Sequence, residues 1–170
     1  MTVETIKTPR LTLRAVRPED AEDIHRHISD WDVVRMLALP PWPYTRQDAM
    51  QFAALRTGHA LECHDEVIGV AGIESRGGKI TLGYWIGRDY WGRGLMTEAL
   101  TALVADHFER SDAEPLYSGY AFDNPASWRV QQKLGFVKVG EELTHIVSRG
   151  EKVREIKTKL TREEFEKASR

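Results

Sequence analysis

The stretch of residues 82–99 constrains the fold of this chain more than any other. An apolar, aromatic run leads into the turn Trp91-Gly92-Arg93-Gly94, and a helical amphipathic pattern follows directly. The first N–H groups of a helix have no partner within it, and the helix dipole places partial positive charge there. The two glycines lack the Cβ atoms that would keep an anion from the backbone, and the arginine adds positive charge. The sequence therefore predicts a strand, turn and helix that hold a phosphorylated ligand.

Two familiar phosphate motifs do not fit this turn. A P-loop needs Gly-x-x-x-x-Gly-Lys-Ser/Thr, which is absent, and Thr97 stands where a dinucleotide fingerprint needs its third glycine. The dinucleotide fold also places its motif inside a parallel βαβ unit. Here three predicted strands, 59–63, 67–75 and 79–87, follow one another through short turns, one of them Gly77-Gly78. They form an antiparallel meander, so the ligand is predicted to be another phosphorylated molecule.

The remaining pattern fits one domain over residues 1–170, because neither a linker nor an internal repeat interrupts it. Further strands are predicted at 10–17, 116–121, 137–148 and 151–160. Helices are predicted after Pro18, at 31–37, after the Thr45 cap, at 96–108, between Asn124-Pro125 and Gly135, and after the Thr161 capping box.

The amino-acid composition limits which partners the chain is expected to bind and in which compartment it is expected to work. The net charge is −2 with 29% charged residues, which argues against a nucleic-acid partner held by clustered basic side chains. No apolar run approaches the ~20 residues of a membrane span, and the chain shows no signal peptide. The single Cys63 excludes an internal disulfide and fits the cytoplasm. His25 and His27 lie two apart on one helix, so they are predicted as surface residues, and no metal site is expected.

Four blocks together resemble the GNAT N-acetyltransferases, and within them the branch of ribosomal-protein N-terminal acetyltransferases. The blocks span nearly the whole chain in the family's order. They are the strand, turn and helix at 84–99, Asn124-Pro125-Ala126-Ser127 followed by Lys133-Leu134-Gly135-Phe136, the opening at 8–14, and the close at 160–165.

The resemblance implies a mixed α/β fold with a central twisted, mostly antiparallel sheet of about seven strands and helices on both faces. It implies acetyl-coenzyme A as co-substrate, no metal, and direct attack by a primary amine in a ternary complex. The amine would belong to a protein N-terminus or a small molecule, and the enzyme would be a monomer or homodimer. Strands 79–87 and 116–121 would separate at one end to admit the coenzyme.

The resemblance also implies where the coenzyme lies. Its pantetheine arm would pair with the backbone at 84–86, its pyrophosphate would bind amides at 92–97, and Arg129 and Lys133 would face the adenosine phosphate unless they form a solvated helix face. The predicted coenzyme-binding residues are Tyr84, Trp85, Ile86, Trp91, Gly92, Arg93, Gly94, Leu95, Met96, Thr97, Asn124, Ser127, Arg129 and Lys133.

The sequence departs from the family at two positions. Met96 stands where a small residue is usual, so it either points inward and leaves the amides free or narrows the site. Gln131 stands where many relatives carry a tyrosine that acts as general acid, and Ser127 is the expected substitute. A backbone N–H near Trp85-Ile86 is the oxyanion candidate.

The general base is left open among Glu74, Asp123 and His145. An α-amine has a pKa of about 7.7–8.0, against about 10.4 for lysine, so a weak base or water suffices. The predicted catalytic residues are Ser127, Glu74 and Asp123. The first helices, the 40–44 loop and the final hairpin would shape the acceptor cleft.

Two alternatives lie outside enzyme function. The chain could be a non-catalytic acyl-coenzyme A binding or regulatory module, which would explain Met96, Gln131 and the unassigned base. The glycine turn could also be only a tight strand-to-helix connection.

Overall fold

One mixed sheet organises the computed structural model, which describes residues 3–110, 112 and 114–170. Its eight strands lie in the order β1-β2-β3-β4-β5-β6-β8-β7. All neighbours are antiparallel except the pair β5 and β6. The strands are β1 (Ile6–Lys7), β2 (Thr12–Ala15), β3 (His59–Cys63), β4 (Glu66–Arg76), β5 (Lys79–Ile86), β6 (Leu116–Ala121), β7 (Val137–Ile146) and β8 (Glu151–Leu160).

Helices cover both faces of the sheet. The first three pack with β3, β4 and Val16 in one core, and the last three pack on the opposite face in a second core. No helix of the described residues is long and apolar enough to cross a membrane. The helices are α1 (Ala21–Ile28), α2 (Trp31–Val34), α3 (Arg46–Ala54), α4 (Leu95–Arg110), α5 (Pro125–Leu134) and α6 (Arg162–Ala168).

The predicted fold class is confirmed, with one strand more than expected. The additional strand, β1, has two residues and pairs with β2, which is too short a segment for an alternating pattern to show. The predicted helix ends are also found. The side chains of Thr45, Asn124 and Thr161 each accept a hydrogen bond from a backbone N–H in the first turn of the helix that follows. Gly135 ends α5 in the left-handed conformation, with φ 102°.

His27 corrects the prediction of two surface histidines. Its side chain is buried at 8% exposure, and its Nε2 lies 2.8 Å from Oε1 of Glu66. The reason is helical spacing, because His27 falls between Ile24 and Ile28 on the stripe of α1 that faces the sheet. His25 remains partly exposed.

Candidate functional site

A cleft opens where β5 and β6 separate. The two strands pair only through Ile80 with Leu116 and Thr81 with Tyr117. Beyond these pairs β5 continues along β4 to Ile86, while β6 continues along β8. The opening belongs to a cavity of about 1260 Å³. The predicted separation of these strands is therefore present, and it leaves backbone groups of both strands facing a gap.

The glycine-rich turn closes one end of this cleft. Gly92 and Gly94 have φ of 73° and 74°, the left-handed region that costs other residues about 1 kcal/mol or more. The indole Nε1 of Trp91 donates to the Ile86 carbonyl at 2.9 Å and so fixes the turn against the end of β5. Helix α4 begins directly after the turn at Leu95. Its unpartnered first N–H groups therefore face the gap, as an anion site requires.

The N-terminal segment braces the start of α4 through Glu98. The Glu98 carboxylate accepts hydrogen bonds from the Thr8 hydroxyl at 2.6 Å and from Arg10 Nε at 2.7 Å. Arg10 Nη1 also donates to the Arg93 carbonyl at 2.9 Å. Burial favours the neutral acid, but these hydrogen bonds outweigh it and lower the pKa of Glu98. The negative charge of Glu98, beside the predicted phosphate site, is thus compensated by Arg10.

The cavity brings together all the predicted coenzyme residues except one. Arg93 does not line it, because its exposed guanidinium lies over the Tyr90 ring, 5.4 Å from the centroid. Met96 is 7% exposed and packs in the core, so its side chain points inward. Arg129 and Lys133 line the cavity with exposed side chains.

Three polar side chains form a partly buried network on the α5 side of the gap, in which Gln131 is fully buried. The Tyr84 hydroxyl lies 2.6 Å from Ser127 Oγ and 3.1 Å from Nε2 of Gln131. Burial raises the pKa of Tyr84, and the hydrogen bonds with Ser127 and Gln131 only partly oppose it. Tyr84 was predicted to act through its backbone, so its side-chain role was missed. The alternation of β5 could have placed this ring on the same face as Leu82, but not beside α5.

The predicted bases lie in three different environments. Glu74 lines the cavity but is exposed and paired with Arg76 at 2.6 Å. Asp123 accepts two hydrogen bonds from Arg149, at 2.9 and 3.0 Å, and one from Arg35. Those hydrogen bonds and charges lower the pKa of Asp123 and make it a weak base. His145 is exposed on β7 and does not line the cavity.

A fourth candidate base, the carboxylate of Glu155, is less exposed than Glu74 and was missed by the sequence analysis. It occupies the space above Gly119, where a Cβ atom would overlap Oε1 of Glu155. Lys157 is its ion-pair partner at 2.9 Å. Glu155 pairs with Ala121, which packs beside Met36, so this carboxylate lies on the face opposite Tyr84 and Ser127. Glu155 lies above Gly119 because of the register in which β8 pairs with β6.

The segment after α1 and the final hairpin, where the acceptor is predicted to bind, both line the cavity. Residues 32, 33 and 36–38 contribute on one side, and residues 139–142 and 146 on the other. None of residues 40–44 lines the cavity, and Trp42 instead packs edge-on against Trp31. The 40–44 loop therefore packs against α2 and does not form a wall of the cleft.

Comparison with known proteins agrees with this geometry. A model of the acetyltransferase (GNAT) domain matches residues 10–137. The uncharacterized N-acetyltransferase p20 of Bacillus licheniformis is 30% identical over 151 residues, which cover 81% of this chain and 85% of that protein. The [ribosomal protein uS5]-alanine N-acetyltransferase of Escherichia coli is 28% identical over 178 residues, covering 92% and 90%.

Solved structures show the same fold. The acetyltransferase (GNAT family) from Bacillus anthracis superimposes with a TM-score of 0.83 at 22% identity, over 94% of this chain and 99% of that one. RimL, a ribosomal L7/L12 alpha-N-protein acetyltransferase in complex with coenzyme A, gives 0.78 at 21% identity, over 93% and 98%. The chain therefore belongs to the acetyltransferase (GNAT) family and is an acetyl-coenzyme A-dependent N-acetyltransferase.

Proposed function

We propose that this enzyme acetylates the α-amine of a protein N-terminus in the gap between β5 and β6. The observation that carries the proposal is the gap itself, with an anion-binding turn at one end and polar side chains on both faces. The relative from Escherichia coli is named as a [ribosomal protein uS5]-alanine N-acetyltransferase. An α-amine is also largely deprotonated near neutral pH, which suits a site without a strong base.

The residues around the gap fit coenzyme A. The left-handed glycines leave room for a pyrophosphate against the start of α4, and the unpaired edge of β5 near Trp85 suits the amides of a pantetheine arm. Arg129 and Lys133 at the rim suit the adenosine phosphate. Acetyl-coenzyme A supplies an acyl group activated as a thioester. The protein's part is to align it, to donate hydrogen bonds to the oxygen and sulfur that gain charge, and to receive the amine.

Glu155 is our proposed amine-facing carboxylate, in preference to Glu74 and Asp123. Glu155 is partly buried in the gap, whereas Glu74 is exposed and Asp123 is held by two arginines. It also lies on the face of the sheet opposite Ser127. Glu155 would therefore contact the amine from one face, and Ser127 the departing sulfur from the other. Ser127 is proposed to face the sulfur.

A thiol-release assay tests the acceptor class. The panel contains peptides with free N-terminal alanine, serine or methionine, the same peptides with a blocked N-terminus and an internal lysine, a polyamine and an aminoglycoside. We expect release of coenzyme A with free N-termini and none with the blocked peptides. Turnover restricted to the polyamine or the aminoglycoside would show that the acceptor is a small molecule.

A matched pair of variants tests Glu155. Glu155→Gln removes the carboxylate charge, and we expect kcat to fall by about 10²- to 10⁴-fold, the usual contribution of a general base. Glu142→Gln is the control, because Glu142 also lines the cavity, faces Glu155 across the strand pair and lies 3.6 Å from Lys157. Equal losses in both variants would mean that only the charge around Lys157 matters.

The proposal also covers the domain organisation, compartment, oligomeric state and partners of the enzyme. We propose one domain over residues 1–170, working in the cytoplasm as a monomer or homodimer without a metal, nucleic-acid or membrane partner. The support is one continuous sheet, a single thiol at Cys63 and a net charge near zero. Sedimentation analysis measures the oligomeric state directly.

A further inference from the structure

We propose that Gln131 and the buried hydroxyl of Tyr84 form a one-way hydrogen-bond relay that turns the Ser127 hydroxyl hydrogen toward the sulfur of departing coenzyme A. The inference rests on the proposed function only for the position of the thioester in the gap. It assigns Tyr84 and Gln131 as positioning residues and leaves Ser127 as the group that touches the sulfur. Each step follows from counting hydrogen-bond donors and acceptors.

The first step is the orientation of the Gln131 amide. Gln131 is fully buried at 0% exposure. Its Nε2 lies 3.3 Å from the carbonyl oxygen of Gly119, and a carbonyl can only accept a hydrogen bond. The amide nitrogen must therefore face Gly119, and Oε1 receives the hydroxyl of Thr158 at 2.6 Å. With both ends engaged, the amide cannot rotate without leaving a buried polar atom unpaired.

The second step fixes the hydrogen of Tyr84. Nε2 of Gln131 offers two hydrogens to three oxygens. The Tyr84 oxygen at 3.1 Å lies nearer than Ser118 Oγ and the Gly119 carbonyl, both at 3.3 Å, so Tyr84 accepts one of these hydrogens. A phenol carries a single hydrogen, and Ser127 Oγ at 2.6 Å is a much nearer acceptor for it than the Ser127 carbonyl oxygen at 3.4 Å. Burial raises the pKa of Tyr84, so the hydroxyl keeps this hydrogen throughout the neutral range.

The third step concerns Ser127. Its Oγ is occupied as an acceptor by Tyr84, so its own hydrogen is left for another partner. Among the described residues, Tyr84 is the one side chain in hydrogen-bond contact with Ser127 Oγ. Ser127 and Tyr84 both line the cavity, whereas Gln131 lies behind them. The free hydrogen of Ser127 therefore points into the gap, where the thioester sulfur is proposed to lie.

The chemistry needs a hydrogen bond and no net proton from the relay. As the amine nitrogen bonds to the acetyl carbon, the carbon–sulfur bond breaks and the sulfur keeps the electron pair. Ser127 donates a hydrogen bond to that thiolate. The proton that completes the coenzyme A thiol is the one lost by the nitrogen, carried by the base and water. Tyr84 stays protonated throughout, in agreement with its burial.

The test is the pKa of the coenzyme A thiol bound to the enzyme, read from the ultraviolet absorbance of its thiolate. The coenzyme-free protein is titrated in parallel and subtracted, which removes the signal of Cys63. This measurement needs no acceptor amine. We expect the wild-type complex to hold this pKa below that of free coenzyme A, because the relay stabilises the thiolate.

Three variants break the relay at different points. Tyr84→Phe, Gln131→Met and Ser127→Ala are each expected to raise the bound-thiol pKa by about one unit, a tenfold loss of thiolate at fixed pH. Tyr117→Phe is the matched control, since Tyr117 lines the same cavity and no hydrogen bond from its hydroxyl to the relay residues is present in the described structure. In turnover, Tyr84→Phe should lower kcat and leave the KM for acetyl-coenzyme A unchanged.

The outcomes separate the relay from the proposed function. A bound-thiol pKa that shifts in Ser127→Ala but not in Tyr84→Phe or Gln131→Met would overturn the relay and leave the coenzyme site intact. An unchanged value in Ser127→Ala overturns it as well. Failure of the wild type to bind coenzyme A would overturn both proposals. If Tyr84→Phe does not fold, Gln131→Met alone decides the question, because its side chain has a similar length without a donor.

Discussion

Two carboxylates of one cleft differ because of their immediate neighbours. Asp123 is held by two guanidinium groups, whereas Glu155 has a single flexible lysine as its partner. The arginines lower the pKa of Asp123, so proton uptake from an amine is unfavourable there. Both residues are acidic side chains beside the gap. Their contacts make Asp123 part of a structural ion pair and leave Glu155 as the candidate for chemistry.

Asp123→Asn is expected to lower stability in a pH-dependent way. The folded-state pKa of Asp123 lies below its ordinary value of 3.8, so its contribution is fully present above that value. We expect a loss of about 1–2 kcal/mol at neutral pH. As the pH falls below 3.8 and through the folded-state pKa, the difference from wild type should shrink. Thermal unfolding between pH 7 and pH 3 measures it.

The control for this prediction is Asp65→Asn. Asp65 is exposed in the turn between β3 and β4, with φ of 64°, which asparagine also tolerates. Its substitution should change the melting temperature little at any pH. If Asp123→Asn loses the same stability at every pH, the ion pair with Arg149 is not the cause of the loss.

At the level of elements, the turn between β5 and α4 was predictable because its residues act locally. Glycine spacing, a preceding strand and a following amphipathic pattern are all visible within a few residues of Gly92. Caps such as Asn124 and Thr161 are equally local. Glu155 and the Tyr84 side chain could not be assigned in this way. Their roles depend on strand register and on helix-to-strand packing, which the sequence does not display.

Gly92→Ala is expected to weaken coenzyme binding far more than its effect on folding would suggest. Gly92 lines the cavity, and a Cβ atom there would meet no atom within 4 Å beyond its chain neighbours, so it would occupy open space where the pyrophosphate is proposed to lie. We expect the dissociation constant for coenzyme A to rise at least tenfold, about 1.4 kcal/mol. Isothermal titration calorimetry measures this directly.

Gly150→Ala provides the comparison. Gly150 also has a positive φ, 65°, and also has open space around its Cβ position, but it lies in the hairpin between β7 and β8. Both variants should lose about 1 kcal/mol of stability from the left-handed backbone. Similar coenzyme affinities for the two variants would argue against a pyrophosphate at Gly92.

In the whole molecule, two parts of the sheet meet across a narrow junction. Strands β1 to β5 form one part and β6, β8 and β7 the other, and two residue pairs join them, together with the hydrogen bond from Ser118 Oγ to the Leu82 carbonyl at 2.8 Å. The mixed sheet and its two helical layers followed from strand patterns and family resemblance. The contact of His27 with Glu66 was not predicted, because the sequence around His27 is compatible with an exposed histidine as well as with a buried one.

Coenzyme A should stabilise this junction measurably. A ligand that binds only the folded state at one hundred times its dissociation constant adds about 2.7 kcal/mol. For a chain of this length, each kcal/mol raises the melting temperature by about 2–4 °C, so we expect a shift of roughly 5–10 °C. The Gly92→Ala variant at the same concentration should shift less. Equal shifts in the two proteins would mean that the ligand stabilises the fold from another site.

The separation of β5 and β6 also creates strand edges inside the protein. Free edges on a protein surface invite pairing with other chains and lead to aggregation. These edges face one another across the cleft and do not lie at the outer flanks of the sheet, so a second chain would have to enter the cavity to pair with them. The protein can therefore keep unpaired backbone groups for a slender ligand without offering a template for fibril growth.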